Sequence, residues 1–167
     1  NIDDLNGNGS ITINFKGAAW GENSIHHCEA SAPNDGYGMG VDFIQGGTSG
    51  VSVHHNTFTG YATAYTGSQH QDGWQPLTGS YLELYSNKFI NIVNYSVFFE
   101  AYYGGFSHVR IYNNIITNTL PSIQASAAPR GIMVVPSGGA FNSLGYWPAF
   151  DDIIIANNII CDLGGTH

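Results

Sequence analysis

Ser52-Val-His-His-Asn-Thr-Phe58 returns 31 positions later as Glu83-Leu-Tyr-Ser-Asn-Lys-Phe89, and 27 positions after that as Arg110-Ile-Tyr-Asn-Asn-Ile-Ile116. Two more segments superpose on these without gaps, Ser24-Ile-His-His-Cys-Glu-Ala30 upstream and Ile154-Ile-Ala-Asn-Asn-Ile-Ile160 downstream. The shared pattern is apolar-x-apolar-x-x-Asn-x-apolar. Its anchors, Cys28, Asn56, Asn87, Asn114 and Asn158, lie 28, 31, 27 and 44 positions apart. A period of this length marks a solenoid, in which each repeat buries its apolar face only against its neighbours. The last interval holds a 27-residue coil plus an insertion of 17, assigned to the Pro-, Gly- and Ala-rich stretch within about 119–148.

Within each repeat, alternating apolar positions predict a strand, a bend and a second short strand. Val51, Val53, Leu82, Leu84, Val109, Ile111, Ile153 and Ile155 are expected to face inward on the first strand. Phe58, Phe89, Ile116 and Ile160 do so on the second. Asn at the bend tolerates the left-handed backbone region, and stacked Asn side chains can hydrogen-bond from coil to coil. A third strand follows a loop of variable length, and is read at Ile11–Phe15, Gly40–Phe43, Gly73–Pro76, Ser96–Phe99 and Gly131–Val134. Val41, Trp74, Val97 and Ile132 are its expected core residues. The fold is therefore read as all-β, a right-handed parallel β-helix of about five to six coils in a single domain over residues 1–167. An ordinary β-sandwich would require this spacing to be accidental. Cys28 and Cys161 sit about four coils apart, too far for a disulfide at ~4.8 Å per coil, and are expected to be buried thiols.

Composition narrows the classes. Of 167 residues 43% are hydrophobic and only 10% charged, with 4 Lys plus Arg against 12 Asp plus Glu and a formal charge of −8. Such a surface repels nucleic acid and anionic membranes. No apolar run approaches the ~20 residues of a membrane-spanning helix. The chain starts at Asn1 without Met or a signal peptide, which reads as a processed protein or a fragment. An Asn-, Tyr- and Gly-rich surface poor in Lys leans towards a secreted, extracellular protein. Neither terminus offers an obvious cap, so the chain reads as part of a longer solenoid or as one that associates end to end.

The Asn column, the three-strand coil and the variable loop before the third strand resemble the pectate-lyase-like β-helix superfamily, over nearly the whole chain from Ser10 to Leu163. That resemblance implies a polysaccharide or oligosaccharide ligand, in a groove along the outer face of the strand after the variable loop. The outward residues there are read as Asn14 with Lys16, Asp42, Asp72 with Gln75, Glu100 with Phe98, and Arg130 with Met133. His70-Gln71-Asp72-Gly73-Trp74-Gln75 is similar to the His-x-Asp-Gly-x-Gln segments of several β-helix carbohydrate enzymes. It is less close to the Asn-Thr-Asp-Gly segment of polygalacturonases. The next coil carries Val97-Phe98-Phe99-Glu100 where those enzymes have an Asp-Asp pair, and neither Gly-His-Gly nor Arg-Ile-Lys follows, which disfavours polygalacturonase activity.

Two reactions stay open. A glycoside hydrolase needs a proton donor and a second carboxylate, and Asp42, Asp72 and Glu100 on successive coils span ~5 to 10 Å. A uronate lyase needs a base and a cation at the substrate carboxylate. Lys16, His70 or Arg130 would be that base, with Asp42 and Asp72 as ligands of Ca²⁺. The acidic charge favours hydrolysis of a neutral or weakly charged glycan. Gln75, Lys16, Tyr102, Tyr103 and Trp147 are the expected sugar contacts, with Tyr61, Tyr65, Trp74 and Tyr146 as further aromatics. Plainer readings stand beside these. Asp72-Gly73 is also a turn signal, Asp42 and Glu100 also fit a solvated strand face, and Arg130 also fits an ordinary ion pair. The stacked pairs His26-His27 and His54-His55 suggest either a metal site or repetition of a bend position. Glu83 and Arg110 are expected to pair across neighbouring coils. Asp4, Asn6 and Asn8 imitate a calcium loop, but Phe15 stands where its bidentate Glu belongs. The rival class is a non-catalytic adhesin, tailspike or assembly solenoid whose coil ends stack chain on chain.

Overall fold

In a computed structural model the described residues are 23–31, 43–45, 49–60, 72–92, 94–119, 130–136 and 145–161, with Ile2–Asp3, Asn6–Asn8 and Ile13–Asn14 described as backbone only. Every regular element among them is a strand, and the strands form three parallel sheets. The first contains β1 (Ile2–Asp3), β4 (Asn23–His26), β7 (Val51–His54), β10 (Gly79–Tyr85), β13 (Phe106–Tyr112) and β16 (Phe150–Ala156). The second contains β2 (Asn6–Asn8), β5 (Glu29–Ser31), β8 (Thr57–Thr59), β11 (Lys88–Ile90), β14 (Ile115–Thr117) and β17 (Ile159–Cys161). The third contains β3 (Ile13–Asn14), β6 (Ile44–Gln45), β9 (Trp74–Gln75), β12 (Tyr95–Ala101) and β15 (Arg130–Pro136). Each strand pairs with its counterpart one repeat away, which is the connectivity of a β-solenoid.

The registers stack like on like. Ile25, Val53, Leu84 and Ile111 form one fully buried column in the first sheet. Ala30, Phe58, Phe89 and Ile116 form a second, with the rings of Phe58 and Phe89 stacked at 5.2 Å. Ile44, Trp74 and Val97 form a third, continued by the half-buried Ile132. Each wholly buried aliphatic or Phe side chain contributes about 1.5–3 kcal/mol relative to exposure.

A ladder of side-chain amides runs beside these columns. The backbone N–H of Cys28 donates to Asn56 Oδ1 at 2.9 Å, and those of Asn56, Asn87 and Asn114 donate to Oδ1 of the following Asn at 3.0 Å each. Each Nδ2 donates to that same Oδ1 and back to a carbonyl of the preceding repeat, Ile25 O, Val53 O or Leu84 O. These amides are buried, so their mutual hydrogen bonds replace the water they have lost.

The structure corrects several readings. The left-handed residue at the bend is the one before the ladder position: His27, His55, Ser86, Asn113 and Asn157 have φ of 54°, 55°, 55°, 57° and 54°. The ladder Asn is selected for hydrogen bonding and its predecessor for conformation. In the third sheet, Ile44 faces Trp74 and Gln45 faces Gln75, so the second repeat enters that sheet later than expected; Val41 and Asp42 lie outside the described residues. Residues 119–148 are not all loop, since β15 pairs with β12 there. Cys28 is buried as expected, but Cys161 is exposed. Ile155 and Ile160 occupy the columns of Ile111 and Ile116 but are 49% and 46% exposed, against 0% for the latter two.

Removing one rung tests the ladder. Asn87→Ala should strand the donors of Asn56 and two acceptor carbonyls in the interior, lowering stability by about 3 kcal/mol or more. Asn113→Gly, at the exposed left-handed position, should leave the circular-dichroism melt nearly unchanged.

Candidate functional site

The first sheet carries a groove on its outer face, of about 590 Å³, that runs across the strands. Alternation on β10 turns Leu82 and Leu84 inward and leaves Tyr81, Glu83 and Tyr85 to the outside. Parallel register repeats this on the neighbouring strands and so builds two ridges with a floor between them. One ridge stacks His26, His54, Tyr85 and Tyr112 with ring centroids 5.0, 4.7 and 5.1 Å apart and planes within 11° of parallel. The other stacks Tyr81 on His108 at 4.5 Å. Four residues of extended chain separate the ridges, about 13 Å. The floor column reads Ser24, Ser52, Glu83, Arg110.

The Tyr81 ridge holds an unusual backbone. Tyr81, His108 and Asp152 have φ of 56°, 53° and 49°, and Gly50 beside them has 74°. The strand pairing steps over these residues, from Ser80–Ser107 to Leu82–Val109 and from Ser107–Asp151 to Val109–Ile153. Left-handed conformations in non-glycine residues cost of order 1–3 kcal/mol each and concentrate at functional surfaces. Here they occur in register along one wall of the groove.

Glu83 and Arg110 are register partners but do not pair, contrary to expectation. Glu83 accepts a hydrogen bond from Ser52 Oγ at 3.2 Å, towards one side. Arg110 turns to the other side and donates to Asp152 Oδ2 and to the Asp152 carbonyl, each at 2.7 Å. That hydrogen bond holds the Asp152 carboxyl below its ordinary range, against partial desolvation, and raises the guanidinium. His108 Nε2 stands 3.9 Å from the same Asp152 oxygen. Burial, then the charge of Glu83, raises the Tyr85 and Tyr112 phenols. Desolvation, followed by the neighbouring imidazoles, lowers His54 below 6.5.

The residues singled out on the third sheet fall into separate places. Asp72 is fully buried; its Oδ1 accepts the Tyr95 backbone N–H at 2.9 Å, and in this conformation its carboxyl presents no surface to a glycan. A Cβ on the adjoining Gly73 would collide with Ser96 O and the Phe89 ring, so Asp72-Gly73 marks a close approach of coils. Gln75 is buried and bridges Gln45 and Glu100, at 3.2 and 3.0 Å. Arg130 binds the Tyr95 hydroxyl, with its guanidinium 4.9 Å above that ring. Tyr95 pairs with Arg130 and Glu100 with Val135, so Arg130 and Glu100 lie five residues apart along the strands, about 17 Å. Trp74 is core. Tyr102 and Tyr103 meet edge to face at 4.8 Å, and Tyr103, Tyr146 and Trp147 are 63%, 60% and 57% exposed. The register that sets Phe106 beside Phe150 places Tyr103 and Trp147 at equivalent points of neighbouring repeats. Asp42, His70, Lys16, Asp4, Tyr61 and Tyr65 lie outside the described residues, and Asn6 and Asn8 are described in backbone only.

Sequence reading passed over the groove, although its signal was present. Tyr85 and Tyr112 stand at outward positions of the aligned segments, two residues after a Glu and an Arg, and Tyr81 stands two residues before that Glu. Comparison with family models, with curated proteins and with solved structures returned no match.

His54 makes the ridge pH-sensitive. Its folded-state value is lowered, so the unfolded chain binds the extra proton first, and stability falls as pH drops through 6.5 towards that lowered value. His54→Gln should flatten the decline in melting temperature between about pH 7 and pH 5.

Proposed function

We propose that this chain is a secreted right-handed parallel β-helix of the pectate-lyase-like kind, with about five to six coils, that binds a polysaccharide along the first-sheet groove and cleaves its glycosidic bonds. The single observation that carries the reading is the pair of stacked aromatic ridges flanking a polar floor. Aromatic faces pack on the apolar faces of sugar rings, and the hydroxyls find Ser24, Ser52, Glu83 and Arg110 between them. Hydrolysis suits the carboxylates better than lysis. Glu83, outward on the floor, takes the role of proton donor. Asp152, kept ionised by Arg110, takes that of base towards a water. They sit two strands apart, with backbones about 10–12 Å distant. The reaction centre then lies on the first sheet and not in the third-sheet row of Asp42, Asp72 and Glu100. The alternative reaction is a Ca²⁺-dependent uronate lyase with Lys16, His70 or Arg130 as base; Lys16 and His70 lie outside the described residues, and Arg130 is bonded to the Tyr95 hydroxyl.

A panel of neutral and uronate polysaccharides, with product analysis by NMR, tests this. The expected result is release of saturated, hydrolysed sugars, loss of turnover by at least about 10²-fold in Glu83→Gln, and weakened binding in Tyr81→Ala with an unchanged melt. Cleavage at full rate by Glu83→Gln overturns the assignment.

A second reading, a non-catalytic solenoid that assembles end to end, is favoured by Ile155 and Ile160, which stand in the core columns of Ile111 and Ile116 yet are 49% and 46% exposed on the last described strands. Sedimentation velocity at rising concentration should then show growing species that Ile155→Asp/Ile160→Asp abolishes, and a concentration-independent monomer removes this reading.

A further inference from the structure

Beside the groove, two His pairs share one geometry. His26 and His54 point outward at the ends of β4 and β7, in register with each other. His27 and His55 follow them in the left-handed conformation, which turns each ring back beside its neighbour. In both pairs the two Nδ1 atoms hydrogen-bond each other at 3.0 Å, a contact that an ion held between them would replace, and the ring planes cross at 88° and 89°. The pairs stack, His26 on His54 at 5.0 Å and His27 on His55 at 5.4 Å.

Metal–imidazole bonds are about 2.0–2.1 Å long. Two nitrogens bound at a right angle to one ion therefore stand about 2.9 Å apart, and at the tetrahedral angle about 3.4 Å. The observed spacing matches the right angle. We propose that each pair is a two-nitrogen clamp for a divalent transition-metal ion of square-planar or octahedral habit, copper(II) or nickel(II) ahead of zinc(II), with two ions per chain one strand spacing apart.

Two further features support the clamps. His54 Nε2 lies 3.3 Å from Ser24 Oγ, and a proton held there for the hydroxyl leaves the Nδ1 lone pair directed at the ion. On the next strand the same two positions are Tyr85 and Ser86, which do not ligate in this way, and Tyr85 closes the array by stacking on His54 at 4.7 Å. Among the described residues no three or more His, Cys, Asp or Glu converge on one ion, so water or an added ligand fills the remaining positions.

The test is titration of the full chain with copper(II) sulfate at about pH 7.5, where free imidazole is largely neutral, read by electron paramagnetic resonance. The expected result is uptake of two equivalents, with dipolar broadening between ions about 5 Å apart and resolved two-nitrogen splitting in the single-clamp variant His55→Asn. His55→Asn should remove one equivalent, and His27→Asn/His55→Asn should remove both. The double variant should still fold, because Asn113 and Asn157 already occupy this left-handed column, and its melt confirms that. Failure of the wild type to take up stoichiometric copper, or equal uptake by the double variant, overturns the proposal.

Discussion

A buried amide that donates forward and backward along the solenoid axis governs this molecule. Asn87 accepts from the backbone and side chain of Asn56, donates its own backbone N–H and Nδ2 to Asn114, and returns Nδ2 to Val53 O. A polar side chain with no exposed surface costs free energy unless its capacity is used, and here it is used within one column. The requirement is strict in register: a slip of one residue on any strand would put the amide outside and its apolar neighbours with it. The aliphatic columns supply most of the stabilisation, and the ladder decides which residues lie over which.

With register fixed, everything outside the columns is placed by repetition. The ridges of the groove are single positions read down successive strands, as Tyr85 and Tyr112 show with planes only 3° apart. Chemistry enters where the repeats differ. Glu83 and Arg110 occupy one column but reach in opposite directions, because Ser52 offers a hydroxyl on one side and Asp152 a carboxylate on the other.

The repeat, the three parallel sheets and the identity of the core columns were legible in the sequence, since Asn56, Asn87 and Asn114 recur within aligned apolar patterns. The position of the third strand was less so. Its start is set by closure of the coil after a loop of variable length, and local alternation around Asp42 does not encode that length; Gln45 takes the outward place. Asp72 read as outward because Asp is polar, yet β9 is only two residues long and the carboxyl serves the Tyr95 amide inside. The Glu83–Arg110 pairing failed because adjacency fixes backbones and leaves long side chains to choose among partners. Ile155 and Cys161 depend on what covers the last described strands, a question no single repeat can answer.

The step from Asn114 to Asn158 is 44 residues long, against 27 for the step before it, yet the rung it closes is no longer than the others at 2.9–3.0 Å. Contour length outside the columns is thus decoupled from geometry within them. Register divides the surplus between the segments before and after β15, and each is a natural graft point, where a foreign segment could be spliced while the scaffold keeps its pitch.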